Sequence, residues 1–191
     1  MPLPAKEQGR QRERGAPGWM WPLLFWLAIL AAPPAVRAVD IDPPFGLDWG
    51  ETTERMERLI TNAKAKVVDR REVNSRTVWT VEGLVQTNLK RTLFHFRNGG
   101  LEEVELQYQN DQWVDTEYNT FLSQLRSRIE KRFGPGKLIA RSKEPVDGDV
   151  TQTIVSYQWA KGQSAIELIY FSAVKSPDVY RTVSLHYRAI Y

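Results

Sequence analysis

The chain has 191 residues, 26 basic and 23 acidic, two histidines and no cysteine, with a formal net charge of +3. Without cysteine there is no disulfide framework, no thiol nucleophile and no cysteine-based metal site. Stability must come from an apolar core, and the length suits one medium domain preceded by a processing segment.

That segment comes first. Lys6, Arg10, Arg12 and Arg14 form a basic start, and an uncharged apolar run follows from Trp19 to Ala32, broken by Pro33 and Pro34. Val36-Arg37-Ala38 then fits the −3 to −1 pattern of a cleavage site after Ala38. The run is shorter than the ~20 residues of a spanning helix and contains Pro22. Residues 1–38 are therefore read as a cleaved Sec-type signal peptide, with retention as an anchor as the alternative. No cysteine follows the run, so no lipid anchor is expected, and no adjacent arginine pair precedes it. The expected location is periplasmic or secreted.

Removing residues 1–38 takes away five basic and two acidic residues and leaves 21 of each in residues 39–191. The basic character belongs to the signal. A nucleic-acid partner, which needs a basic footprint, loses its support.

Within residues 39–191, Val39 to Pro44 reads as an extended lead-in. The stretch "PFGLDWGETTERMERLI" opens a first helix. Met56, Leu59, Ile60 and Ala63 share one helical face. Thr52 or Thr53 can cap the start, Glu51 and Glu54 suit the positive end of the helix dipole, and Asn62 ends it. The period then changes to two, predicting strands over 65–72, 77–82, 88–97 and 101–109. Asn98-Gly99-Gly100 is a hairpin signal because both Asn and Gly tolerate positive φ. Read as a three-residue loop, it sets Phe94 opposite Val104 and His95 opposite Glu103. Val104, Leu106 and Tyr108 then point into the core, and Glu103, Glu105 and Gln107 are expected to face water.

A second helix is predicted from Asp115 or Thr116, with Tyr118, Leu122, Leu125, Ile129 and Phe133 as its apolar stripe and Gly134-Pro135 as its stop. Strands return over 137–142, 151–160, 164–171 and 180–190. Residues 144–149 and 172–178 read as loops. The predicted fold is α+β: two helix-then-strands repeats, 45–110 and 115–191, with helices packed on one face of an antiparallel sheet.

Gly46-Leu47-x-Trp49-Gly50-x-Thr52, Leu59 and the Asn-Gly hairpin resemble a pattern of exported bacterial proteins. With the helix-then-strands layout over residues 45–191, the chain resembles the BamE-like (SmpA/OmlA) outer-membrane-assembly lipoproteins and the tandem-repeat β-lactamase-inhibitor protein. The resemblance implies a helical layer on an antiparallel sheet and protein contact in place of catalysis. The lipobox cysteine of the lipoproteins is missing here, and no binding residue carries over.

The chain has no Gly-x-Ser-x-Gly elbow, no phosphate-binding glycine loop and no histidine or cysteine pair at zinc spacing. No catalytic residue, metal ligand or cofactor is assigned. Asp147-Gly148-Asp149 reads as a turn. Four candidate binding residues remain. His95 and Glu103 form a cross-strand acid–base pair, or simply a pair on a solvated sheet face. Trp49 belongs to a ligand site, or plugs the core at the helix entry. Trp113 sits in a polar stretch before the second helix, as a contact residue or as a hydrophobic staple. His186 reads as an outward strand position. The expected role is an exported, non-catalytic protein-binding module. A small-ligand or lipid carrier and a carboxylate-based envelope hydrolase are the alternatives.

Overall fold

The computed structural model describes residues 40–190. The expected signal peptide and its cleavage point lie outside the described residues. A single 3-10 turn, Pro44–Gly46, precedes helix α1, Thr53–Asn62. Thr52 is the N-cap, its hydroxyl oxygen accepting the Arg55 amide at 3.3 Å. Helix α2 spans Asp115–Phe133. Its N-cap is Val114, not Asp115 or Thr116, and valine has no side-chain acceptor. The first turn is instead secured by Glu117, which accepts the Val114 amide at 3.1 Å. Asp115 is drawn off to Arg181 on the sheet. Gly134 closes α2 at φ 82°.

The strands are β1 Lys66–Val73, β2 Arg76–Glu82, β3 Leu89–Arg97, β4 Gly100–Tyr108, β5 Lys137–Asp147, β6 Val150–Lys161, β7 Ser164–Lys175 and β8 Asp178–Ala189. They form one eight-stranded sheet in the order β1-β2-β3-β4-β8-β7-β6-β5, antiparallel throughout.

This corrects the expectation of an α+β fold made of two helix-then-strands repeats. The molecule is sheet-dominated, one eight-stranded antiparallel sheet with only two helices among the described residues. The reason lies in β4 and β8. Val104, Leu106 and Tyr108 stand opposite Tyr187, Leu185 and Val183. Burying both apolar rows under one layer requires a continuous ladder, and local periodicity cannot show which distant strands will share it. A single apolar cluster results, from Met56 and Ile60 of α1, through Phe94 and Leu106, to Leu122 and Ile129 of α2 and Trp159 and Leu168.

The stretches 144–149 and 172–178, expected as loops, are also largely strand. β5 continues to Asp147 and β7 to Lys175, leaving two-residue turns at 148–149 and 176–177. Within 144–149, Pro145 would disfavour a central strand. It sits on β5, the edge strand, where its missing N–H costs no ladder bond on the outer side, and the pairing is irregular beside it. Strands β5 to β8 are consequently 11 or 12 residues long. Strands β1 to β4 have only 7 to 9. The longer strands overhang the rest of the sheet. β4 stops at Tyr108 opposite Val183, so residues 178–182 of β8 pair only with β7.

Candidate functional site

Helix α1 lies over the sheet face that carries Phe94, and α2 over the face that carries Tyr108, Ile166 and Leu185. These residues all belong to the same face by register. The opposite face has no helix on it among the described residues, and the polar groups of the sheet gather there.

The gathering begins with a bulge. Arg97 pairs with Gly100 across a two-residue Asn98-Gly99 turn, both at positive φ. The register shifts between Phe96–Leu101 and His95–Glu103, leaving Glu102 as the extra residue. The bulge restores the pairs expected of a three-residue loop, His95 with Glu103 and Phe94 with Val104. It also sets two consecutive carboxylates within reach of one arginine. Arg76 Nε is 2.9 Å from Glu102 Oε2, and its Nη1 is 3.5 Å from Glu103 Oε2.

Glu103 is the hub. It is 6% exposed, although expected to face water. His186 Nδ1 lies 2.8 Å from its Oε1, and Arg188 Nε 3.1 Å from the same oxygen. Burial by itself would push this carboxyl up. The hydrogen bond from His186 and the charges of Arg188, His95 and His186 outweigh it and hold the group down at about 2. An ionised carboxylate only accepts, so His186 carries its proton on Nδ1 toward Glu103. Its Nε2 then faces Ser184 Oγ at 3.1 Å. Glu105 is likewise lowered, its partners overriding burial, with His95 foremost among them. The network runs on to Gln107 and Arg91 on one side. On the other, Arg188 reaches Glu167, which accepts from Ser156 at 2.8 Å.

The four residues singled out from sequence do not form one site. His95 and Glu103 are backbone partners, but His95 Nε2 turns to Glu105 at 3.8 Å and Glu103 takes His186 instead. Trp113 packs edge-on against Tyr118 at 5.2 Å between ring centres and against Phe121 at 5.1 Å. It occupies the residue before the N-cap and contacts the fourth helical residue, which is the staple geometry. Trp49 donates its indole N–H to the Ile41 carbonyl at 3.0 Å, tying the lead-in to the helix entry. Glu51 nearby is buried and pairs with Arg55 at 3.0 Å. The "PFGLDWGETTERMERLI" segment is thus occupied with fixing the chain's entry, helped by backbone hydrogen bonds from the Gly50 amide to the Leu101 carbonyl and from the Leu101 amide to the Glu51 carbonyl.

Sequence reasoning missed His186, Arg188, Ser184 and Glu105 as members of the network. Their i, i+2, i+4 spacing in "SLHYR" was visible, as was that in "EVELQ". The adjacency of β4 and β8 was not. Ser184, His186 and Glu103 follow the order of a serine-based triad. Ser184, however, lies mid-strand between β4 and β7, where the backbone amides belong to the ladders and none points to an oxyanion. Among the described residues, no group of three or more His, Asp or Glu side chains is placed to hold a metal ion.

Beside the charged network, the same face changes character toward the overhang. Ile169 lies next to Ser184, Phe171 next to Thr182, and Ile154 next to Phe171. Tyr180 stands diagonal to Phe171, with ring centres 6.0 Å apart. The first three are half-buried and Tyr180 is exposed. The result is an apolar strip bordered by fixed charges and by the start of β8, which pairs with β7 only.

Compared with known proteins, the chain matches no family model, no curated protein and no solved structure. The likeness to the outer-membrane-assembly lipoproteins and the β-lactamase-inhibitor protein remains an expectation from sequence.

Proposed function

We propose that the protein is an exported, periplasmic or secreted binding module that engages another protein through the helix-free face of its sheet. The carrying observation is the apolar strip of Ile154, Ile169, Phe171 and Tyr180 beside a network of charges placed within ion-pair distance of one another. An apolar patch without charges, rimmed by oriented polar groups, is the composition of a protein contact surface. The open start of β8 adds backbone donors and acceptors for an extended segment of the partner. The partner it suits presents an apolar strand or ridge. The balanced charge of residues 39–191 gives no support to a nucleic-acid partner.

A lipid carrier, which needs a large apolar cavity, draws less support. The apolar cavity under α1 measures about 230 Å³ and the cleft under α2 about 250 Å³. Both fall below the ~300 Å³ at which pockets for whole ligands begin. The hydrolase alternative needs a carboxyl raised to act as an acid, whereas Glu103 is held at about 2.

The test is site-specific photo-crosslinking in the living envelope. A photoreactive residue at Tyr180 is expected to give a discrete adduct, and one at Ser127 on the polar side of α2 to give none. Phe171→Glu should abolish the Tyr180 adduct while the protein stays folded. Equal labelling from both positions, or none from Tyr180, overturns the reading. Export is checked in the same cells: the mature protein should begin at Val39, as read by N-terminal sequencing. An intact Met1 on a membrane-bound protein would support the anchor instead.

A further inference from the structure

The overhang of β5–β8 matters on its other face as well. Where α2 covers the sheet, the inward positions of these strands are Tyr157, Trp159, Ile166, Leu168 and Leu185, all buried and apolar or aromatic. Toward the start of α2 the same rows become mixed, with hydroxyl and charged side chains beside Val155 and Val174. Thr153 faces Ser172, Thr151 faces Val174, and Lys143 faces Thr153 from the edge strand. Arg181 lies on β8 opposite Ser172. The first turns of α2 add Asp115 and Asn119 as a second wall. Together they enclose a groove of about 440 Å³, inside the ~300–1,000 Å³ range of ligand pockets.

The groove is built, not merely open. Ser172 and Tyr170 in its floor are 4% and 5% exposed. Asp115 Oδ1 accepts from Arg181 Nε at 2.5 Å and from the Tyr170 hydroxyl at 3.4 Å. Arg181 also donates to the Tyr170 hydroxyl oxygen, so Asp115 and Tyr170 take part of the guanidinium's five donors and the remainder line the groove. Arg181 and Lys143 against Asp115 make the lining net positive. Around them stand hydroxyls, each both donor and acceptor, and the planar groups of Asp115 and Asn119, which suit adjacent hydroxyls of a polyol. A bare anion would use the cations and waste the hydroxyls. A neutral sugar would use the hydroxyls and leave Lys143 unmatched.

We infer that this groove binds a small polyhydroxylated anion, a sugar acid or a sugar phosphate, with Arg181 and Lys143 on the anionic group and Thr151, Thr153, Ser172 and Asn119 on the hydroxyls. The site is separate from the sheet face proposed to meet a protein and does not depend on it.

The test is amide NMR titration of the protein as recovered from an export-competent host, with glucuronate, glucose 6-phosphate, glucose and inorganic phosphate as probes. Glucuronate or glucose 6-phosphate should move the amides of residues 151–153, 172 and 181 saturably, and whichever acts decides between carboxylate and phosphate. Glucose and inorganic phosphate should bind at least about tenfold more weakly, the loss of one charge-assisted contact or of the hydroxyl set. Lys143→Gln, an exposed edge-strand change, should weaken the acid about tenfold and leave the rest of the spectrum in place. The inference is overturned if neither acid moves these amides, if glucose or phosphate binds equally well, or if Lys143→Gln binds as the parent does.

Discussion

Glu103→Gln is expected to lower stability at neutral pH by about 2 kcal/mol, because it leaves Arg76, Arg188 and His186 facing one another without the charge that gathers them. The figure is set below the full cost of breaking a buried pair because Arg76 and Arg188 are 31% and 43% exposed and water can compensate them in part. The side chain's size is kept, so the loss reports charge and not packing. The same group governs the acid limb of stability. Its folded value of about 2 lies below the 4.5 of an unperturbed glutamate. A depressed carboxylate stabilises the fold above its unfolded value, and that contribution is lost as pH falls from about 4.5 toward 2. The loss amounts to roughly 3 kcal/mol over that window for a shift of this size. Denaturant unfolding at pH 7, 5, 4 and 3 should show the parent falling steeply and Glu103→Gln falling less. Parallel curves for the two proteins would show that Glu103 is not the hub.

Trp159→Ala carries the largest expected effect, a loss of about 3–5 kcal/mol. Trp159 is 3% exposed, within the apolar core. Its indole N–H donates to the Gly134 carbonyl at 2.9 Å, so the ring fastens the end of α2 to the sheet. The contact can be approached from the other side. A Cβ on Gly136 would stand 2.4 Å from the Trp159 ring, which no relaxation of a packed indole accommodates cheaply. Gly136→Ala should therefore cost about 1–3 kcal/mol by overpacking. The three atoms nearest to that methyl all belong to the ring and go with it. In the Trp159→Ala background Gly136→Ala should become nearly neutral, a coupling that thermal or urea unfolding of the four proteins can read. Additive losses would place the strain of Gly136→Ala in the backbone and not against the ring.

The candidate site was legible only in pieces. His95 opposite Glu103 followed from a hairpin whose turn is local, and the register holds. Its chemistry did not follow, because the partner Glu103 chooses, His186, is 83 positions away. Trp113 stood out for want of a periodic partner, yet the aromatic contacts that occupy it come from the next helix turn and from Tyr118. Trp49 stood out for its setting, and its polar atom is spent on Ile41. The apolar strip was invisible for a different reason. Ile154, Ile169, Phe171 and Tyr180 come from three strands, and in each strand apolar residues also occupy the opposite face, so alternation gave no cue to which row was covered.

What the sequence determined by itself is what depends on neighbours along the chain. It specified the charge balance and the lack of cysteine, the start of α1 at Thr52 or Thr53 and its end at Asn62, the apolar stripe and glycine stop of α2, and the Asn-Gly turn. These rest on caps, turns and periodicities with a range of a few residues. What only the tertiary structure decided is what depends on pairing across the sheet. The union of the two halves through β4 and β8, the overhang of the last four strands, the carboxylate hub at Glu103 and the groove beside α2 all follow from it. A ladder between strands some eighty residues apart is chosen by the burial of both apolar rows at once, and that is a property of the assembled layers.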